Sequence, residues 1–300
     1  MGRNKAPPYI KATLTVVFWG ASFIATKVVL RDVSPITVVW LRFAMGVVIL
    51  GMAVAIRRQF SPLKWSDLPY FALLGFLGIT LHQWLQSNGL LTSQASTSAW
   101  IIAATPVFMA LLGWIFLSEK LTWLRILGIA LAALGVVLVV TKGDLRSLGI
   151  GQFGAPGDKL VLWSAVNWAI FSALSRPGLQ SRPAAQMMFY VMLLGWSFTS
   201  YLFFTGPGFS EVGRLTPAGW IGLGFLGVFC SGLAYIFWYD ALQVIPTSQV
   251  GVFLYFEPLT AVVVAAIILG EPLLAASLVG GCLILIGVWM VNRQTKKAPV

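Results

Sequence analysis

The chain has 300 residues, of which 58% are hydrophobic and 10% charged, and its mean hydropathy is +0.88. A water-soluble domain carries about 25% charged residues, so this composition excludes one and points to the interior of a lipid bilayer. The net charge of +11 comes with no basic stripe interleaved with aromatics in a polar segment. It is read as contact with anionic lipid headgroups and excludes nucleic acid as an expected partner.

A bilayer core takes about 20 helical residues. Ten apolar segments of that order are expected, at 11–30, 34–56, 67–89, 94–117 and 121–141, then 158–178, 183–205, 217–241, 246–270 and 273–292. The first follows Arg3 and Lys5, as a signal peptide would, but Lys27 and Arg31 stand where a small-residue cleavage site belongs, so it is expected to be retained. It carries Trp19. The second carries Arg42, too far from either end to count as a loop cation, for which a structural role is expected. The third ends in "LHQWLQSNGL" (81–90). There His82 and Gln86 share a face at i, i+4, with Gln83 beside them. Polar side chains in a span avoid lipid; they form either a polar wall facing substrate or hydrogen-bonded glue between helices.

Trp100 lies in the fourth segment. Trp163 and Asn167 share a face of the sixth, and Tyr235 and Trp238 fall in the eighth. Each aromatic alone reads as packing, but the set reads as the lining of a cavity with flat faces for stacking or for an ammonium group. In the ninth segment Gln249, Phe253 and Glu257 recur at i, i+4, i+8, one face over two turns. Glu257 is the one acid well inside a span, directly before Pro258. It is either a site for a substrate amine or a proton, or a structural ion pair or helix cap. Cys230 and Cys282 both fall inside spans, so no disulfide is expected. No metal pattern and no cofactor motif occur.

The halves repeat. "LGFLG" stands at 74–78 and again at 223–227. At the same offset of 149, Trp19 matches Trp168 and Lys27 matches Arg176. Further on, at an offset of 152, Pro106 matches Pro258, Glu119 matches Glu271, and Gly128 and Gly135 match Gly280 and Gly287. The expected organisation is a five-helix repeat at 1–142, a linker at 143–157 and a second repeat at 158–300. Five spans per copy bring the second copy in from the opposite side. The expected fold is therefore all-α and integral to the membrane, with ten transmembrane helices as two inverted repeats around a central cavity, as in secondary transporters. Thirteen lysines and arginines fall on the side of the N-terminus and five on the other. The bias predicts cytoplasmic termini and an extracytoplasmic linker.

Several stretches together resemble the EamA-type branch of the drug/metabolite transporter superfamily. They are "FWGASFIATK" (18–27), "WLRFAM" (40–45), "AATPVF" (103–108) with "LSEKLTWLRILGIALAALGVVLV" (117–139), and "YFEPLTAVVVA" (255–265) with "LGEPLLAASLVGGCLILIGVWMV" (269–291). The resemblance covers nearly the whole chain, and the YddG-like aromatic amino acid exporters are the subgroup it most resembles. It implies a prokaryotic cytoplasmic (inner) membrane protein that exports small metabolites, often amino acids, with no obligate protein partner. A sugar-phosphate or nucleoside-like cargo is the alternative, although phosphate would call for several cations at mid-depth. An intramembrane enzyme needs a catalytic constellation, and none is found. A channel would more often bring a pore ring in a symmetric oligomer.

Overall fold

The computed structural model describes residues 8–117, 120–146, 153–244 and 247–293. Among these residues no strand occurs. In hydrocarbon each backbone N–H and C=O needs a partner within its own segment, which helices supply. The long helical rods are α1 (Pro8–Val29), α2 (Pro35–Ile56), α3 (Trp65–Leu90), α4 (Ala95–Phe116), α5 (Trp123–Val140), α6 (Pro156–Ser181), α7 (Ala184–Thr205), α8 (Pro217–Leu242), α9 (Gln249–Leu269) and α10 (Ala275–Asn292). Proline opens α2, α6 and α8 at a position where its missing N–H costs nothing. The Thr216 hydroxyl caps α8 by accepting from the Gly219 N–H at 3.1 Å.

Nine of these rods, all but α6, are long and apolar enough to cross a membrane. The sixth expected span lies within α6. Its 26 residues reach about 39 Å, but Asp158, Lys159, Asn167 and Arg176 dilute its apolar character. Glu119 and the middle of the linker, including Gly149, lie outside the described residues.

Side-chain contacts set the running directions. Lys11 meets Asp240 and Trp19 meets Cys230, so α1 and α8 are antiparallel. Gly46 packs on Ser231 and Arg57 reaches Asp240, so α2 and α8 are parallel. Glycines let the rods approach. A Cβ on Gly135 would stand 2.5 Å from the Gly280 carbonyl oxygen, and one on Gly128 would stand 2.7 Å from that of Gly287. This is the small-residue packing that membrane helices use in place of a hydrophobic drive.

Four rods are interrupted. In α3 and α8 the turns widen to π-helix at Phe76–Leu81 and Phe225–Leu233, overlapping both copies of "LGFLG". In α4 the helix breaks at Ala104, two residues before Pro106, and in α9 it breaks at 254–255, just before Pro258. Proline removes the N–H that would bond the carbonyl four residues earlier. In α4 the freed Ile102 carbonyl accepts instead from the Thr105 hydroxyl at 2.6 Å. In α9 the Leu254 carbonyl accepts from the Glu257 backbone N–H at 3.2 Å.

Polar groups close the bundle at both ends. At the end that carries residue 8, Asp240 pairs with Lys11 and Arg57. At the far end Gly270, in the left-handed region at φ 66°, ends α9 and turns the chain to present Glu271. That carboxylate accepts from the N–H groups of Ala95 and Ser96 at 2.8 and 3.0 Å and from the Ser96 hydroxyl at 2.6 Å. Lys27 lies 3.7 Å from it and donates to the Ser93 carbonyl. Asp158 accepts from the Ser93 hydroxyl and from the Ala155 N–H. A further acid, Glu211, accepts from the Ser34 N–H at 2.9 Å and the Thr37 hydroxyl at 2.7 Å, and so caps α2.

Burial pushes the Glu211 carboxyl up, but the bonds from Ser34 and Thr37 outweigh it and hold the group below the usual glutamate range. A depressed carboxyl stabilises the fold above its unfolded value and loses that contribution as pH falls. The melting temperature in detergent is therefore expected to drop as pH falls below about 4. Glu211→Gln should melt lower at neutral pH and show a shallower acid slope. An unchanged slope would mean that the cap contributes nothing.

Candidate substrate site

The expected site residues separate into distinct neighbourhoods. The largest gathers around the second half of α3, the middle of α8 and the middle of α1. His82 is buried, with Nδ1 3.1 Å from the Ser164 carbonyl oxygen and its ring centroid 4.7 Å from that of Trp168. Gln83 is buried and its Oε1 accepts from the Arg42 guanidinium at 3.2 Å. Gln86, a turn further on, is also buried. Trp19 lies across α8, its indole N–H donating to the Cys230 carbonyl at 3.2 Å. Its ring stands 5.7 Å from Tyr235 and 5.3 Å from Trp238. The wide turns of α3 and α8 end at Leu81 and Leu233, directly ahead of His82 and Tyr235. Segments of this kind concentrate at functional sites.

The remaining residues stand elsewhere. Asn167 donates to the Leu77 carbonyl at 2.7 Å, satisfying a backbone group inside the wide turn of α3. Trp163, on the same helix, is 63% exposed and faces outward. Trp100 is 1% exposed and lies over Gly281, and its indole N–H has no partner among the described residues. Gln249 and Phe253 meet Tyr9 near the residue-8 end, at 3.4 Å to its hydroxyl and 6.3 Å between rings. The break in α9 then interrupts the face that the spacing had carried on to Glu257. Glu257 is half-buried where α9 crosses α1 at Gly20, and among the described residues its carboxylate meets no donor.

Arg42, for which a structural role is expected, meets no carboxylate among the described residues. It is buried, with Nε donating to the Ser231 hydroxyl at 3.0 Å and a terminal nitrogen donating to Gln83. Ser231 is not legible in the sequence, because a serine in an apolar run carries no signal until its neighbour across the helix pair is known.

Interrupted membrane helices meeting around a largely buried set of polar and aromatic side chains define a polytopic helical membrane protein with a polar centre. The chain belongs to the EamA-like transporter family, which matches it twice, over residues 7–141 and 155–293. It is 30% identical to an uncharacterized transporter of Archaeoglobus fulgidus, over 95% of this chain and 99% of the relative. It is 29% identical to a probable terminal-alkyne amino-acid exporter of Streptantibioticus cattleyicolor, over 94% and 92%. A solved crystal structure superimposes with a TM-score of 0.64 over 94% of this chain and 95% of its own, at 18% identity. That likeness is one of fold.

Proposed function

We propose that the chain is a secondary transporter exporting small neutral metabolites, foremost amino acids with aromatic or other apolar side chains, by alternating access. The observation that carries this reading is the neighbourhood of buried Tyr235, His82 and Gln83 with half-buried Trp19 and Trp238. It joins helices of both halves and offers stacking faces beside hydrogen-bonding groups. The amino-acid exporter among the relatives points the same way. The two halves, 1–142 and 158–300, act as inverted repeats joined by the linker 143–157, and α6 is the tenth span.

Support for the inversion comes from paired contacts. Under the offset of 152, Gly128 and Gly135 become Gly280 and Gly287. The pairs Gly128–Gly287 and Gly135–Gly280 then exchange into one another, as a two-fold axis requires. Two halves of this kind can swap conformations and open the centre to either side.

Reconstituted vesicles test the reading. Uptake of phenylalanine and leucine should saturate and show counterflow. A flux that rises linearly with concentration would indicate a channel, and no flux of either would remove the proposed cargo. The proposed topology has cytoplasmic termini in the cytoplasmic membrane. A cysteine at Gly149 in intact cells should react with an impermeant reagent from outside; labelling only from the cytoplasm would overturn the inversion.

A further inference from the structure

We propose that Arg42 is the anchor for a carboxylate on the transported molecule. This would narrow the cargo to compounds that carry a free carboxylate beside an apolar group. The inference rests on the reading that the buried neighbourhood of α1, α3 and α8 receives the substrate.

Arg42 begins the third turn of α2, roughly 10 Å in from Pro35, and only 4% of the residue is exposed. A guanidinium stays charged and offers five N–H donors. Two bonds are made, to the Ser231 hydroxyl and to the Gln83 amide oxygen, the guanidinium also lies 5.0 Å from the centre of the Phe43 ring, and all three partners are neutral. Lys11, Lys27, Arg57 and Arg182 each face a carboxylate. Arg42 is the buried cation, and among the described residues no acid pairs with it. A buried charge held only by neutral dipoles is costly. If the residue served merely to join α2 to α3 and α8, a glutamine could hold the same two partners without burying a charge. The unmet need is for an anion, and a carboxylate meets the planar fork with two parallel bonds.

The surroundings sort the anion further. Trp19 holds the Cys230 carbonyl, one residue from Ser231, and meets Tyr235 edge to face at 5.7 Å, so aromatic surface adjoins the residues that hold the cation. With one cation in this neighbourhood, a singly charged carboxylate fits better than a phosphate, which calls for several. Ser231 and Gln83 hold the guanidinium in place and are positioning residues.

The test is ligand binding to the purified full chain, with flux in vesicles measured alongside. Wild type, Arg42→Lys and Arg42→Gln are titrated with phenylalanine, phenylalanine amide, 3-phenylpropionate and phenyl phosphate. Unliganded melting temperatures report folding. Wild type is expected to bind phenylalanine about tenfold or more tighter than its amide, as a charge-assisted bond allows. Arg42→Gln should bind the two alike by weakening for the acid alone, with Arg42→Lys in between. The proposal is overturned if the ratio of acid to amide stays at the wild-type value in folded Arg42→Gln. Should that variant fail to fold, the same unchanged ratio in Arg42→Lys overturns it. Wild type preferring the amide, or preferring phenyl phosphate to both acids, also overturns it. An Arg42-dependent preference for the acid with no flux would support this inference while removing the transport reading.

Discussion

Gly135→Ala will lower the melting temperature of the bundle in detergent by the equivalent of about 1–3 kcal/mol, the usual cost of overpacking. Gly135→Leu will cost more. The added Cβ would stand 2.5 Å from the Gly280 carbonyl oxygen. That atom is backbone and has no rotamer to retreat into. Parting the two helices locally would also disturb the Gly128–Gly287 contact two turns away, where a Cβ on Gly287 would come within 2.5 Å of the Gly128 carbonyl oxygen. The pair α5 and α10 thus acts as one clamp with two jaws. Because the contact lies away from Arg42 and Trp19, flux per folded molecule should stay close to wild type. A melting temperature unchanged in Gly135→Leu would mean that the helices are not in backbone contact.

Glu257 gives the other large effect, on transport instead of stability. Pro106 and Pro258 pose the same backbone problem, and the chain solves it in two ways. Before Pro106 the Thr105 hydroxyl fills the freed Ile102 carbonyl. Before Pro258 the matching residue is Glu257, and its own backbone N–H serves the Leu254 carbonyl. An ionised carboxylate could not donate to that carbonyl. The side chain is therefore left over from the repair of the helix, on a half-buried residue whose backbone carbonyl packs on Gly20, and a substrate amine or a proton would suit it. Glu257→Gln is expected to melt near wild type, to lose on the order of tenfold or more in flux, as for a lost charge-assisted bond, and to flatten any dependence of flux on pH. Glu257→Thr, the first half's own solution, should fold equally well and be as inactive. If both variants melt low while the surviving protein transports normally, the acid is architecture.

The apolar segments could be read from sequence because a bilayer demands about 20 residues without charge, and nine helices among the described residues, from 8–29 to 275–292, follow that demand. The azimuth of each helix could not. In water a polar face marks the outside, whereas in lipid the outside is as apolar as the core. Trp163 and Asn167 share a face by spacing, yet one is 63% exposed and the other donates to a carbonyl of α3. Gln249 and Phe253 were joined to Glu257 by counting in fours, and Pro258 breaks the count. The polar cluster at His82 and Gln83 was legible because polar letters in a span are costly wherever they face. That Arg42 meets no acid among the described residues was not, since the identity of a neighbour across the bundle is a property of three dimensions.

The wide turns at Phe76–Leu81 and Phe225–Leu233 carry a consequence for heredity. A π-helical turn holds a surplus residue, and each residue added to a helix swings everything beyond it by about 100°. His82 and Gln83 lie just beyond one such turn, and Tyr235 and Trp238 lie beyond the other. Their bearing toward Arg42 and Trp19 is set by how many residues precede them, while many letters within the turn could change without moving it. Substitution is then the gentle form of variation in these stretches. The loss of a single codon, which would leave each side chain chemically intact, is the severe one.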